Sequence, residues 1–288
     1  MLFCSVRLRA LRLASAALLI ALATSALARP AQAQVVVAPK VVHLSDDERF
    51  SSIFVENRTN RPQEVRLEFR FGYPVSDSLG NVSIHYGDEA AADTLSIGAF
   101  VQPYPKQFLL PPGQRQRVRL ALRPPEGLSD GMYWGRLAFT ARQYEEEAAP
   151  AARAAVETRI HYQFRQIISV FYRRGSLETG LRFDSMRSSR DNANIYITAH
   201  VARTGNAPYL GTARLEVVDD STGAPVATQE DVASVYFDMT HRFTLPRSEL
   251  PEGTYRARLT YETRREDIAS ADLIPADPIS RTLIFAVQ

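Results

Sequence analysis

One pattern occurs twice in this chain. Asp130-Gly-Met-Tyr-Trp-Gly-Arg-Leu-Ala-Phe-Thr-Ala-Arg142 is matched by Glu252-Gly-Thr-Tyr-Arg-Ala-Arg-Leu-Thr-Tyr-Glu-Thr-Arg264. Gly131 falls on Gly253, Tyr133 on Tyr255, Leu137 on Leu259 and Phe139 on Tyr261. Each copy follows a proline-rich turn, and neither carries a helical stripe. In a β-sandwich, a tyrosine at the start of the penultimate strand can hydrogen-bond back to the corner before it. Tyr133 and Tyr255 suit that role, the alternative being a tyrosine that stacks on a ligand. A penultimate strand used twice constrains the chain to two sandwiches.

The rest of the sequence agrees. Residues 52–56, 63–71, 116–122 and 132–142 are short runs rich in β-branched and aromatic residues. Gly80-Asn81, Pro112-Gly113, Asp130-Gly131, Gly205-Asn206, Thr222-Gly223 and Glu252-Gly253 punctuate them as turns. Apolar residues make up 45% of the chain, enough to fill two cores. The expected fold is all-β: two immunoglobulin-like sandwiches with a cleft between them, 34–174 and 175–288, joined near Arg173-Arg174-Gly175. Glu145-Glu146-Glu147 and the alanines after it read as a surface loop.

Residues 1–33 read as a signal peptide. Arg7, Arg9 and Arg12 precede an apolar stretch from Leu13 to Leu27, and Ala31-Gln32-Ala33 offers a cleavage site, with Ala26-Leu27-Ala28 as a second. Export to the periplasm is the expectation. The sole cysteine, Cys4, precedes the apolar stretch, so the mature chain has none. The chain carries 34 Lys+Arg against 32 Asp+Glu; removing Arg7, Arg9, Arg12 and Arg29 leaves 30 against 32. Bulk charge therefore gives no reason to expect a nucleic-acid partner.

Residues 156–172 alternate more regularly than any other segment. Val156, Ile160, Tyr162, Phe164, Ile168 and Val170 share one parity; Glu157, Arg159, His161, Gln163, Arg165 and Ser169 share the other, which Ile167 breaks. A strand of that length would span roughly 55 Å, against ~17–20 Å for an ordinary one. It is either a long core strand covered by its own domain or an edge offered to another protein. Exposed apolar edges aggregate, so a protein that keeps one usually uses it.

Phe164-Arg-Gln-Ile-Ile-Ser-Val-Phe-Tyr-Arg173 resembles the last strand of the first domain in periplasmic pilus (fimbrial) assembly chaperones. The stretch from Phe108 through Pro112-Gly113 to Val118-Arg119-Leu120, the ending Val55-Glu56-Asn57, and Thr204-Gly205-Asn206 with Val235-Tyr236 are similar to the same family. The resemblance spans most of residues 35–288, as a divergent member. It implies donor-strand complementation, in which an extended edge fills the groove of a pilus or surface-fibre subunit with alternate apolar side chains. By position, Ile160, Tyr162, Phe164 and Ile168 would be donated. The family also holds the subunit's terminal carboxylate with two basic residues in the cleft. Lys40 occupies about the place of one. Counting back four from Arg173 gives Ser169 where the other belongs, a departure that leaves Arg165 to supply the charge or the anchor weakened. An outer-membrane usher is a further implied partner.

No chemical motif competes. His43, His85, His161, His200 and His241 are scattered without metal spacing, and neither a glycine-rich phosphate loop nor G-x-S-x-G occurs. Asp219-Asp220 and Glu266-Asp267 read as turn charges. The expectation is a protein that is not an enzyme, with no cofactor, metal or small-molecule substrate. The rivals are a structural or adhesive envelope protein built of the same modules and a hydrolase whose site is assembled in space.

Overall fold

A computed structural model describes residues 35–144 and 163–288. The leader, Ile160 and Tyr162 lie outside the described residues, as do the acidic segment and the start of the alternating stretch.

The first half builds two sheets. One has the order β1 (Val35–Ala38), β3 (Phe50–Asn57), β9 (Arg115–Leu122), β7 (Val101–Tyr104). The other runs β2 (Val41–Ser45), β11 (Gln163–Arg174), β10 (Gly131–Gln143), β4 (Gln63–Arg70), β8 (Gln107–Leu110). This is the immunoglobulin arrangement: the first strand opens in one sheet and crosses to the other, where it lies parallel to the last. Alternation places the inward residues. Ile53 and Val55, Val118 and Leu120, Leu137 and Phe139, Ile168 and Val170 are buried in one apolar core.

The second half is a three-stranded sheet packed on a four-stranded one. The first has the order β12 (Thr179–Arg190), β13 (Asn194–Gly205), β16 (Asp238–Pro246). The second has the order β15 (Pro225–Val235), β14 (Tyr209–Asp219), β17 (Gly253–Glu262), β18 (Ile279–Val287). The repeated tyrosines make the expected corners: Tyr133 donates to the carbonyl of Ser129 and Tyr255 to that of Pro251, both at 2.8 Å.

Several contacts tie the halves together. At the junction the Asn206 side chain donates to the carbonyls of Asp130 and Ser176 and accepts from the amide of Glu178. Elsewhere a hairpin of β5 (Gly72–Ser76) and β6 (Val82–Tyr86), followed by a helix α1 (Glu89–Leu95), leaves the first sandwich and lies against the second. Ser76 Oγ accepts from the amide of Thr240 at 2.6 Å. Tyr73, Trp134 and Phe171 from the first half pack with Tyr236 and Leu210 from the second as a third apolar cluster. The rings of Trp134 and Tyr236 meet edge to face at 4.9 Å, a favourable aromatic geometry.

Candidate functional site: the β11 edge and the cleft

β11 pairs along its whole length with β10 on one side, from Gln163 opposite Arg142 to Arg174 opposite Gly131. On its other side β2 covers only Ser169 to Arg173. From Gln163 to Ile168 that edge has no partner strand among the described residues. The direction of the free groups follows from the ladder. The Ser169 amide donates outward to the Lys40 carbonyl at 3.1 Å. Main-chain groups alternate sides with period two, so Gln163, Arg165 and Ile167 present theirs to the open edge.

The side chains sort by parity. Ile168 is 1% exposed and lies in the first core beside Leu137. This corrects the expectation that Ile168 is donated: alternation gives a shared face, but here the chain's own opposite sheet already covers it. Phe164 is half-buried and packs on the same core from its rim. It therefore divides its surface between its own domain and solvent. Ile167, the residue that breaks the parity, is 37% exposed on the outer face.

The basic residues fall in different places. Lys40 is exposed in the crossover between β1 and β2, its carbonyl bonded to Ser169. Arg165 is exposed on the open edge opposite Thr140 and does not reach the cleft lining. Ser169 does line it. The cleft is a cavity of about 420 Å³ between the two halves. Its walls are mostly apolar: Pro74, Val82 and Ile84 from the hairpin, Val41 and Phe171 from the first sandwich, and Leu210, Val232, Tyr236 and Met239 from the second.

Two arginines enter this cavity, and neither was singled out in the sequence. Arg265 is held by a two-pronged pair with Asp267 and by Ser234 Oγ. Arg136 stands on β10 directly opposite Ser169, and its Nε is buried with no hydrogen-bond partner. The signal that could have found Arg136 is a single charge inside the otherwise apolar and small run from Gly131 to Ala141. Burial pushes the Tyr236 hydroxyl up to about 12, keeping it a neutral donor at the cavity wall.

Beside the cleft, His43 stacks on Phe171 with ring centroids 5.3 Å apart. Burial, with a smaller push from Arg173, holds it down to about 4. Arg173 donates to the carbonyl of Asp272 across the two halves. Among the described residues no three His, Cys, Asp or Glu side chains gather as a metal site would require.

No family model matches the chain, and no curated protein matches it. Among solved structures, it is similar to the YadV chaperone at 12% identity and a TM-score of 0.44, covering 87% of this chain and 100% of that one. It is similar also to a chain of the Salmonella enterica SafA pilin in complex with the SafB chaperone, at 12% identity and a TM-score of 0.41, covering 88% and 99%. The E. coli chaperone DraB follows at 12% and 0.39, covering 79% and 91%.

Proposed function

We propose that the chain is a periplasmic chaperone that binds pilus or other surface-fibre subunits by lending them the open edge of β11. The observation that carries this reading is the row of main-chain groups at Gln163, Arg165 and Ile167 with no partner strand among the described residues. A sandwich with no use for such an edge would blunt or cover it. A subunit lacking a strand can pair along it, the ladder bonds giving affinity and alternate side chains giving choice. Ile160, Tyr162 and Phe164 are the proposed donated residues. Lys40 and Arg165 are proposed cations for the bound subunit, Arg165 along the edge and Lys40 at its end. Export through the 1–33 leader, the absence of catalysis and an outer-membrane usher as a second partner belong to the same proposal.

The test is amide hydrogen exchange on the chain alone and with a fibre subunit that lacks its final strand. The Arg165 and Ile167 amides should exchange quickly in the free chain and become protected in the complex. Fast exchange retained in a stable complex refutes strand donation and favours a spacer or adhesive protein.

A further inference from the structure

Like charges stand across from each other on the outer face of the five-stranded sheet. Arg70 on β4 is directly opposite Arg136 on β10. Further along, Arg66 on β4 and Arg165 on β11 flank Thr140 of β10 from either side. Residues opposite one another in a ladder, and residues two apart on a strand, point to the same face. These arginines therefore share the face turned away from Leu67, Leu137 and Ile168 in the core. Arg66, Arg70, Arg142 and Arg165 are exposed there. Like charges set opposite each other destabilise a sheet, so a face that keeps them bears a cost in the free chain.

The acids of the same face do not balance it. Glu64 pairs with Arg142 and also accepts from Gln107. Glu68 stands opposite Ala138, not opposite an arginine. Among the described residues, Arg142 alone of the five arginines forms an ion pair. Five guanidinium groups thus face two carboxylates, in a chain whose mature sequence carries 30 basic residues against 32 acidic ones. The excess is local and does not follow from bulk composition.

The spacing says what would relieve it. Neighbouring strands lie about 4.8 Å apart, so Arg66 and Arg165 are rooted on the order of 10 Å from each other. That separation suits several carboxylates carried on one body better than a single ion. Each guanidinium offers paired donors to a carboxylate. The face borders the open edge of β11 through Arg165, so a body paired along that edge arrives beside it. We infer that the outer face of β4, β10 and β11 docks an acidic surface on the guest subunit, read chiefly by Arg66 and Arg70. Complementary charge speeds encounter and rejects partners of the wrong sign, which gives the repulsion in the free chain a use. The inference rests on the lent-strand reading for the identity of the partner, but the charge preference can be measured without it.

The probe is a capped dodecapeptide of alternating Glu and Gly, compared with its Gln-for-Glu counterpart. Titrated into the full chain at low salt, the acidic peptide should bind at least fivefold more tightly, and the preference should shrink as salt is raised. Arg66→Gln with Arg70→Gln should remove most of the preference. Arg117→Gln with Arg119→Gln, on the outer face of the opposite sheet, should leave most of it. All four residues are exposed, so both double variants should fold. Equal affinity for the two peptides, or equal loss from the two double variants, overturns the assignment. A preference that emerges only after Glu145, Glu146 and Glu147 are changed to Gln would make the occupant the chain's own acidic segment and overturns it too. Tighter binding to anionic phospholipid vesicles than to the acidic peptide would make this a membrane face, with the same consequence. The exchange experiment above needs a strand-lacking subunit and this one does not, so either can fail alone.

Discussion

A Cβ on Gly175 would lie 2.0 Å from Oδ1 of Asp130. The same glycine has φ of +58°, in the left-handed region that costs other residues about 1–2 kcal/mol. The Asp130 carboxylate cannot simply move away, because it accepts from the amide of Ser176. Gly175→Ala should therefore destabilise the chain by about 2 kcal/mol or more, roughly 4–8 °C in melting temperature. Adding Asp130→Ala should recover only the steric part. A melting temperature unchanged by Gly175→Ala would show that the junction is looser than this geometry allows.

The two parities of β11 separate stability from binding. Ile168→Asp places a charge in the first core and should unfold the chain, at a cost on the order of several kcal/mol. Phe164→Ala should cost about 1–2 kcal/mol, since only part of its ring is covered. Ile167→Pro removes an amide that points to the open edge and should leave the melting temperature nearly unchanged while abolishing capture of a strand-lacking subunit. Circular dichroism melts alongside a co-purification assay check all three. An Ile167→Pro chain that still captures the subunit would show that the edge ladder is not used.

The strand positions were readable from sequence because alternation and turn residues are local. The runs at 52–56, 116–122 and 132–142 became Phe50–Asn57, Arg115–Leu122 and Gly131–Gln143. What lay beyond reach was long-range. The pattern at Ile168 stated which residues share a face, not which body covers it. The hairpin from Gly72 to Tyr86 has Pro74 within one strand and gains its burial from Phe237 and Thr240, far away in sequence. That Arg136 stands opposite Ser169 comes from the strand register, which local sequence does not give.

Each half has its own tyrosine corner, so the two can be weakened independently. Tyr133→Phe and Tyr255→Phe each remove one hydrogen bond to a backbone carbonyl and should cost about 0.5–1.5 kcal/mol. The hydroxyls belong to different cores, so the double variant should show the sum. Denaturant melts of the three variants measure this, and a marked shortfall in the double variant would mean that the corners are coupled through the interface.

Stability should fall on acidification, and His43 should contribute to the loss. Its folded-state value, about 4, lies below the ordinary 6.5, so the unfolded chain binds more protons between those two pH values. Stability therefore rises with pH across that window, and below it the loss is complete. Arg173 opposes protonation of His43 and Asp272 favours it, while burial dominates both. His241, buried beside Tyr261 and also lowered, acts in the same direction. His43→Gln should reduce the drop in melting temperature between pH 7 and pH 4.5 without abolishing it. An identical drop in the variant would remove His43 from the account.

β2 covers β11 only from Ser169 onward, and that asymmetry gives the open edge a zero mark. On the proposed function, a strand docking along β11 from the Gln163 end would meet Lys40 and Val41, where β2 takes over the edge. In a pleated ladder a slip of one residue turns every side chain to the opposite face. A fixed stop therefore lets position be counted from one end, as on a ruler with a raised lip. On the same reading, the crossover that moves the opening strand between sheets does more than close the sandwich: it would set the phase in which a guest strand lies.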